Sequence, residues 1–233
     1  DGPFTGAVTH LGIPLFFKEN CVHKIYGSYP ANFSIRTTAC RGVQKGCGGS
    51  LAIVNETLYY KSRSGICAYD GSLPVEVSQS LGAVPYGAAV GGAHGSKYYV
   101  CLEGEDGWQL FVYDTARGLW HREDKLQATA FCSFRGELYC IDGRNRNILT
   151  LLGSAEPWEG EVQWMALSSP DSKYLSRLAV RLSVEPGTEA ELLVRYDGAG
   201  EWVRLCSIHS MELRSISVPV TPRRCDHMAL MLR

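Results

Sequence analysis

One short pattern recurs four times in this chain: a turn followed by a strand rich in aromatic residues. Gly12-Ile-Pro-Leu15-Phe16-Phe17 is echoed by Asn55-Glu-Thr-Leu58-Tyr59-Tyr60, by Gly95-Ser-Lys-Tyr98-Tyr99-Val100 and by Arg135-Gly-Glu-Leu138-Tyr139-Cys140. The copies start 43, 40 and 40 residues apart. A small apolar run precedes each one: Gly6-Ala-Val8, Ser50–Val54, Gly87–Val90 and Ala128–Phe131. A further run follows: Val22–Tyr26, Ile66–Tyr69, Leu110–Tyr113 and Ile148–Leu152. A unit of about 40 residues holding three or four short antiparallel strands has the size of a propeller blade. The small first strand suits a crowded central axis, and the aromatic second strand suits packing between blades. No stretch shows the i, i+3, i+4, i+7 stripe of an amphipathic helix, so the chain reads as all-β. The pattern predicts a β-propeller-like array of four blades over residues 1–167, with a fifth blade left open.

In the third unit Tyr113-Asp114 is followed by Trp120, a Tyr-x6-Trp spacing that resembles a kelch blade, where the Trp closes the last turn against the core. Gly91-Gly92 falls before the aromatic strand rather than after it, so this match carries architecture only. Near Ser168-Ser169-Pro170-Asp171 the repeat stops and strict alternation takes over. Leu178, Val180, Leu182 and Val184 alternate with polar residues, as do Leu192, Val194 and Tyr196, then Ile216, Val218 and Val220, then Met228, Leu230 and Leu232. Each set predicts a half-buried antiparallel strand. Turns are expected at Glu185-Pro-Gly187 and Asp197–Gly200. Residues 168–233 therefore read as one wall of a β-sandwich-like module. The start at Asp1 and the strand running to the end suggest a piece of something longer.

Composition removes several function classes. Lys+Arg 23 against Asp+Glu 24 gives a net charge of -1, which argues against a nucleic-acid binder relying on bulk positive charge. No run nears the 18 apolar residues of a membrane-spanning helix. Nine cysteines are too few for a small disulfide scaffold, and most lie in apolar strands, which points to a reducing compartment. A disulfide between Cys40 and Cys47 is conceivable from their spacing.

Motifs that carry chemistry are scarce. Asp70, Asp114 and Asp197 each follow a strand-end Tyr. That recurrence points to turn-formers bonding backbone N–H groups rather than to a glycosidase acid pair. Asp142, beside Arg144 and Arg146, is less repetitive. No C-x2-C or H-x3-H spacing exists, and His10, His23, His94 and His121 are scattered over the units, so no metal or other cofactor is expected. No G-x-S-x-G elbow, P-loop or dinucleotide fingerprint is present. Lys61-Ser-Arg63, Arg144-Asn-Arg146 and Arg223-Arg224 read as solvated clusters beside turns. The residues best placed for an interaction surface are Trp108, Trp158, Arg144, Arg146 and Arg63.

Three stretches carry a resemblance. They are Phe17-Lys18-Glu19 with Ile25–Phe33; Gly46-Cys47 with Ser50–Asn55, Leu58–Ile66 and Tyr69-Asp70-Gly71; and Trp202 with Pro219–His227. Together they resemble structural proteins of tailed bacteriophages and prophages of Gram-positive bacteria. That likeness implies a non-enzymatic virion component at the tail or head–tail region, held by contacts to other virion or scaffold proteins. It would sit in the virion, or in the bacterial cytoplasm before assembly, with no membrane or nucleic-acid partner. Two rival readings remain: a carbohydrate-binding or carbohydrate-processing β-propeller, with glycan as partner, and a kelch-like protein-interaction scaffold.

Overall fold

Two-residue turns set the architecture. His10 pairs with Ile13, Val54 with Thr57, His94 with Lys97 and Phe134 with Glu137, so each repeat begins with the same tight hairpin. Leu11-Gly12, Asn55-Glu56 and Arg135-Gly136 all have positive φ at both central residues, the type I′ geometry whose twist matches that of paired strands. The computed structural model describes residues 2–82, 84–151, 160–166, 173–197 and 200–233.

The chain divides into two compact units, Asp1–Ser154 and Ala155–Arg233. The first holds four antiparallel sheets, each a simple meander. Sheet one is β1 (Gly6–His10), β2 (Ile13–Phe17), β3 (Cys21–Tyr26) and β4 (Ser34–Ala39). Sheet two is β5 (Ala52–Val54), β6 (Thr57–Lys61), β7 (Ile66–Tyr69) and β8 (Val75–Glu76). Sheet three is β9 (Ala89–His94), β10 (Lys97–Gly104), β11 (Gly107–Asp114) and β12 (Leu119–Asp124). Sheet four is β13 (Ala128–Phe134), β14 (Glu137–Asp142) and β15 (Ile148–Thr150).

Strand alternation divides the core between neighbouring sheets. On β10, Tyr98, Val100 and Leu102 join a cluster with Leu58, Tyr60 and Ile66 of sheet two and Leu15 and Phe17 of sheet one. The intervening Tyr99 and Cys101 join a second cluster with Leu138 and Cys140 of sheet four. Each middle sheet is thus buried on both faces. First strands lie side by side, β5 against β9 and β9 against β13. Glycine makes that approach possible, because a Cβ on Gly91 would meet the Ser50 carbonyl at 2.7 Å and one on Gly92 would meet Phe131 Cβ at 2.4 Å. The kelch-like spacing has a physical basis as well. Tyr113 and Trp120 are cross-strand partners stacked at 4.8 Å, and Trp120 Nε1 donates to the Val77 carbonyl of the segment after β8 at 2.7 Å.

The second unit is one four-stranded antiparallel sheet in the order β16 (Gly160–Ala166), β19 (His227–Leu232), β17 (Lys173–Tyr196), β18 (Val203–Cys225). Val194, Tyr196, Val220, Cys225 and Met228 form its core. The expected turn at Glu185-Pro-Gly187 lies inside β17. Val184 pairs with Met211 and Glu189 with His209, so the four residues between bulge out of a continuous ribbon, with Gly187 supplying a φ of 82°. Of the turn expected at Asp197–Gly200, Asp197 adopts a turn with a φ of 52°, and residues 198–199 lie outside the described residues.

Candidate functional site

The seam between sheets three and four gathers the best-placed polar and aromatic side chains. Trp108, near the start of β11, stands directly opposite Glu103 on β10. The indole is half-buried against the cluster that contains Leu126, itself in the link from β12 to β13. Asp142 at the end of β14 shapes the adjoining turn: its carboxylate accepts the Arg144 amide at 2.9 Å and its carbonyl accepts the Arg146 amide at 2.8 Å. That turn aims the Arg144 guanidinium at the Lys125 carbonyl, 3.3 Å away. The Gly143 amide donates to the Gln127 carbonyl at 2.7 Å and locks the turn to the same link. Arg144 therefore reaches Lys125, and Trp108 packs on the cluster that holds Leu126 of the same link.

Of the residues singled out from sequence, the structure brings Trp108 and Arg144 to this seam. Arg146 is exposed on the same turn, held at a φ of 63°. Arg63 is exposed in the β6–β7 turn of sheet two, at the corresponding end of a different sheet. Trp158 lies outside the described residues. Leu126 was not legible as a site residue, since a single apolar position between Lys125 and Gln127 carries no period.

The recurrent aspartates are turn-formers. Asp70 accepts the Ser72 hydroxyl and amide, which hold its carboxyl below the ordinary range. Burial raises the Asp114 carboxyl, but the amides of Arg117 and Ala116 and the Arg117 guanidinium outweigh it and hold it low. Asp197 accepts the amides of Asp226 and His227 at 2.7 and 3.1 Å. Carboxylates spent this way serve backbone geometry. Lys61, by contrast, overturns the reading of Lys61-Ser-Arg63 as a solvated cluster. It is 3% exposed, and its ammonium donates to the Gln44 side chain at 2.7 Å and to the Ser62 carbonyl. Burial lowers its pKa. All nine cysteines are thiols, Cys40 and Cys47 included. Among the described residues no group of three metal-ligating side chains converges, and no helix is long and apolar enough to cross a membrane.

No family model and no curated protein matches this chain. Among solved structures it resembles exo-beta-1,3-galactanase from Phanerochaete chrysosporium, determined with galactose. That match has 10% identity and a TM-score of 0.34, over 94% of this chain and 74% of that one. The expectation of a non-enzymatic chain is corrected on this finding, because the protein it resembles is an enzyme. Missing signature motifs do not exclude catalysis here. At that score the likeness assigns this chain neither an activity nor a substrate. All-β architecture built from several small antiparallel sheets stands on the strand pairing itself.

Proposed function

We propose that this chain is a carbohydrate-recognising, propeller-like blade array whose sugar site is the seam beside Trp108. Its four first-unit sheets act as successive blades. One observation carries the reading: a half-buried indole with Glu103 as its cross-strand neighbour and a turn-held guanidinium reaching the adjoining link. A pyranose offers an apolar C–H face to an aromatic ring and hydroxyls to charged groups around it, which is this combination. Carbohydrate processing is the stronger form of the same reading. Resemblance to phage structural proteins bears on where such a module would work, on a virion, and rests on the quoted sequence stretches alone.

Titration with a panel of gluco- and galacto-oligosaccharides, followed by calorimetry and tryptophan fluorescence, tests the proposal. Trp108→Ala is expected to weaken binding about tenfold or more, roughly 1.4 kcal/mol, and Arg144→Ala to weaken it several-fold. Arg63→Ala, on another sheet, leaves it unchanged. Release of reducing ends from the bound oligosaccharide separates processing from binding. Binding that survives Trp108→Ala intact, or no binding across the panel, overturns the assignment.

A further inference from the structure

Among the described residues, the face of sheet one opposite Leu15, Phe17 and Val22 is exposed at Ile35 and half-buried at Phe16, and a nucleophile arrangement stands on it. Cys21, His23 and Ile25 alternate along β3 and share that face. Cys21 Sγ lies 3.6 Å from His23 Nε2. His23 Nδ1 lies 2.8 Å from Thr37 Oγ1, and His23 and Thr37 are direct cross-strand partners on β3 and β4. With Nδ1–H donating to the threonine hydroxyl, the Nε2 lone pair faces the thiol. A thiol, a base within reach of its proton, and a third group that orients the base are the parts of an activated cysteine.

Two concavities meet at this trio. Cys21 and Thr37 line a recess of about 410 Å³ with Glu19, Asn20 and Ala39. His23 lines an adjoining groove of about 650 Å³ walled by Phe4, Phe16, Ile25 and Ile35, with Lys18 at its edge. Phe4 sits edge-on to both Phe16 and His23, at 5.9 and 5.7 Å, and Ile35 is 67% exposed. The groove suits a flexible hydrocarbon chain better than a sugar, because its walls are aliphatic and aromatic.

We propose that Cys21 is a nucleophilic thiol that takes an acyl group from an apolar acyl thioester, with the acyl chain lying in the Phe4–Phe16–Ile25–Ile35 groove. In the step, His23 Nε2 accepts the Cys21 proton and Sγ attacks the thioester carbonyl carbon. The new S–C bond forms as the donor's C–S bond breaks. The proton on His23 then passes to the departing thiolate, leaving S-acyl-Cys21 and a free thiol. Sulfur replaces sulfur, so no oxidant or reductant is needed. Thr37 is a positioning residue that holds the imidazole tautomer. This site is on sheet one and is independent of the Trp108 seam.

Cys132 supplies an internal reference, since it is the exposed cysteine of the chain and its sulfur lies 3.8 Å from the Ser133 carbonyl. The full chain is incubated with octanoyl-coenzyme A, and acylation of each cysteine is followed by mass spectrometry with and without hydroxylamine. Cys21 is expected to acylate at least tenfold faster than Cys132, and Cys21→Ser to abolish the fast phase. His23→Gln is expected to slow it on the order of 10²-fold, the size of general-base assistance. The same variant removes the histidine titration from the rate–pH profile while Cys132 stays unchanged. Thr37→Val slows the reaction less, and Thr37→Ser restores it. Acetyl-coenzyme A reacts more slowly than the octanoyl donor, a preference that Ile35→Lys erases. Equal rates at Cys21 and Cys132, or a Cys21 rate indifferent to His23→Gln, overturn the proposal.

Discussion

Replacing Gly92 by alanine should pry sheets three and four apart at the strand pair that brings them closest. An ideal Cβ there lies 2.4 Å from Phe131 Cβ and 2.8 Å from its Cγ, against about 3.5–4.0 Å for carbon atoms in contact. No rotamer change relieves this, because the nearer atom is fixed to the β13 backbone. Strands β9 and β13 must part by roughly 1 Å, which also strains the hydrogen bond from the Ser133 hydroxyl to the Ala93 carbonyl. Overpacking of this kind costs about 1–3 kcal/mol, and a Cβ–Cβ clash belongs at the upper end. Reduced freedom of the unfolded chain returns roughly 0.4–1 kcal/mol. The net loss is about 2 kcal/mol, or a melting temperature lower by about 4–8 °C for a unit of this size.

Circular dichroism melts and urea titrations of wild type, Gly92→Ala and Gly49→Ala measure it. Gly49 is the control. Its Cβ would meet nothing closer than Val90 Cγ2 at 3.7 Å, an ordinary contact, and its φ is not left-handed. That variant should melt within about 2 °C of wild type. Phe131→Gly removes the clashing Cβ, so the two changes together should cost less than the sum of each alone. A Gly92→Ala protein as stable as wild type would refute the close packing of β9 on β13, and with it the seam that holds Trp108.

Buried thiols give the chain an alkaline limit. Burial pushes Cys101 up to about 12 and Cys40 up to about 11 from 9.0, so above pH 9 the unfolded chain releases protons that the folded one keeps. Stability should fall from pH 9 to 11 by up to about 1.4 kcal/mol per pH unit for each such thiol. Cys101→Ala should flatten that slope in urea titrations, even though it lowers stability at pH 7. Lys61 works in the opposite sense, since its lowered folded pKa adds stability as pH rises toward 10.5. Trp120→Phe keeps an aromatic stack on Tyr113 and removes the Nε1 donor to Val77. It should cost about 1–2 kcal/mol in chemical denaturation, and no loss would show that the bond between sheets two and three is energetically idle.

The repeat was legible in the sequence because each hairpin turn needs left-handed residues at one place. Asn55 and the glycines at 12, 95 and 136 mark that place. Second strands were legible because burial on both faces demands unbroken apolar and aromatic runs. The fourth strands were not. In β4 and in β12 all but one position is exposed, so neither carries an alternation to read. Glu185-Pro-Gly187 misled for a related reason, because a bulge within a long ribbon uses the same residues as a turn that ends a strand. The chemistry of the two sites depends on register as much as on residue type. Cys21 and His23 share a face by spacing alone, but Thr37 joins them only through the β3–β4 pairing. Likewise Glu103 meets Trp108 only through the β10–β11 pairing.

One repeat position shows how a structural motif becomes available for function. By hairpin register, Phe16, Tyr60 and Val100 occupy equivalent places in the first three units. Tyr60 packs on Phe17 of sheet one at 5.1 Å, and Val100 is buried in the cluster that sheet three shares with sheets one and two. In each middle sheet the residue is therefore spent on holding neighbours together. Sheet one has a successor on its inner face, where Leu15 and Phe17 pack, and Phe16 points the other way, into the groove beside His23. An apolar wall next to Cys21 and His23 thus follows from the same period of two that builds the core.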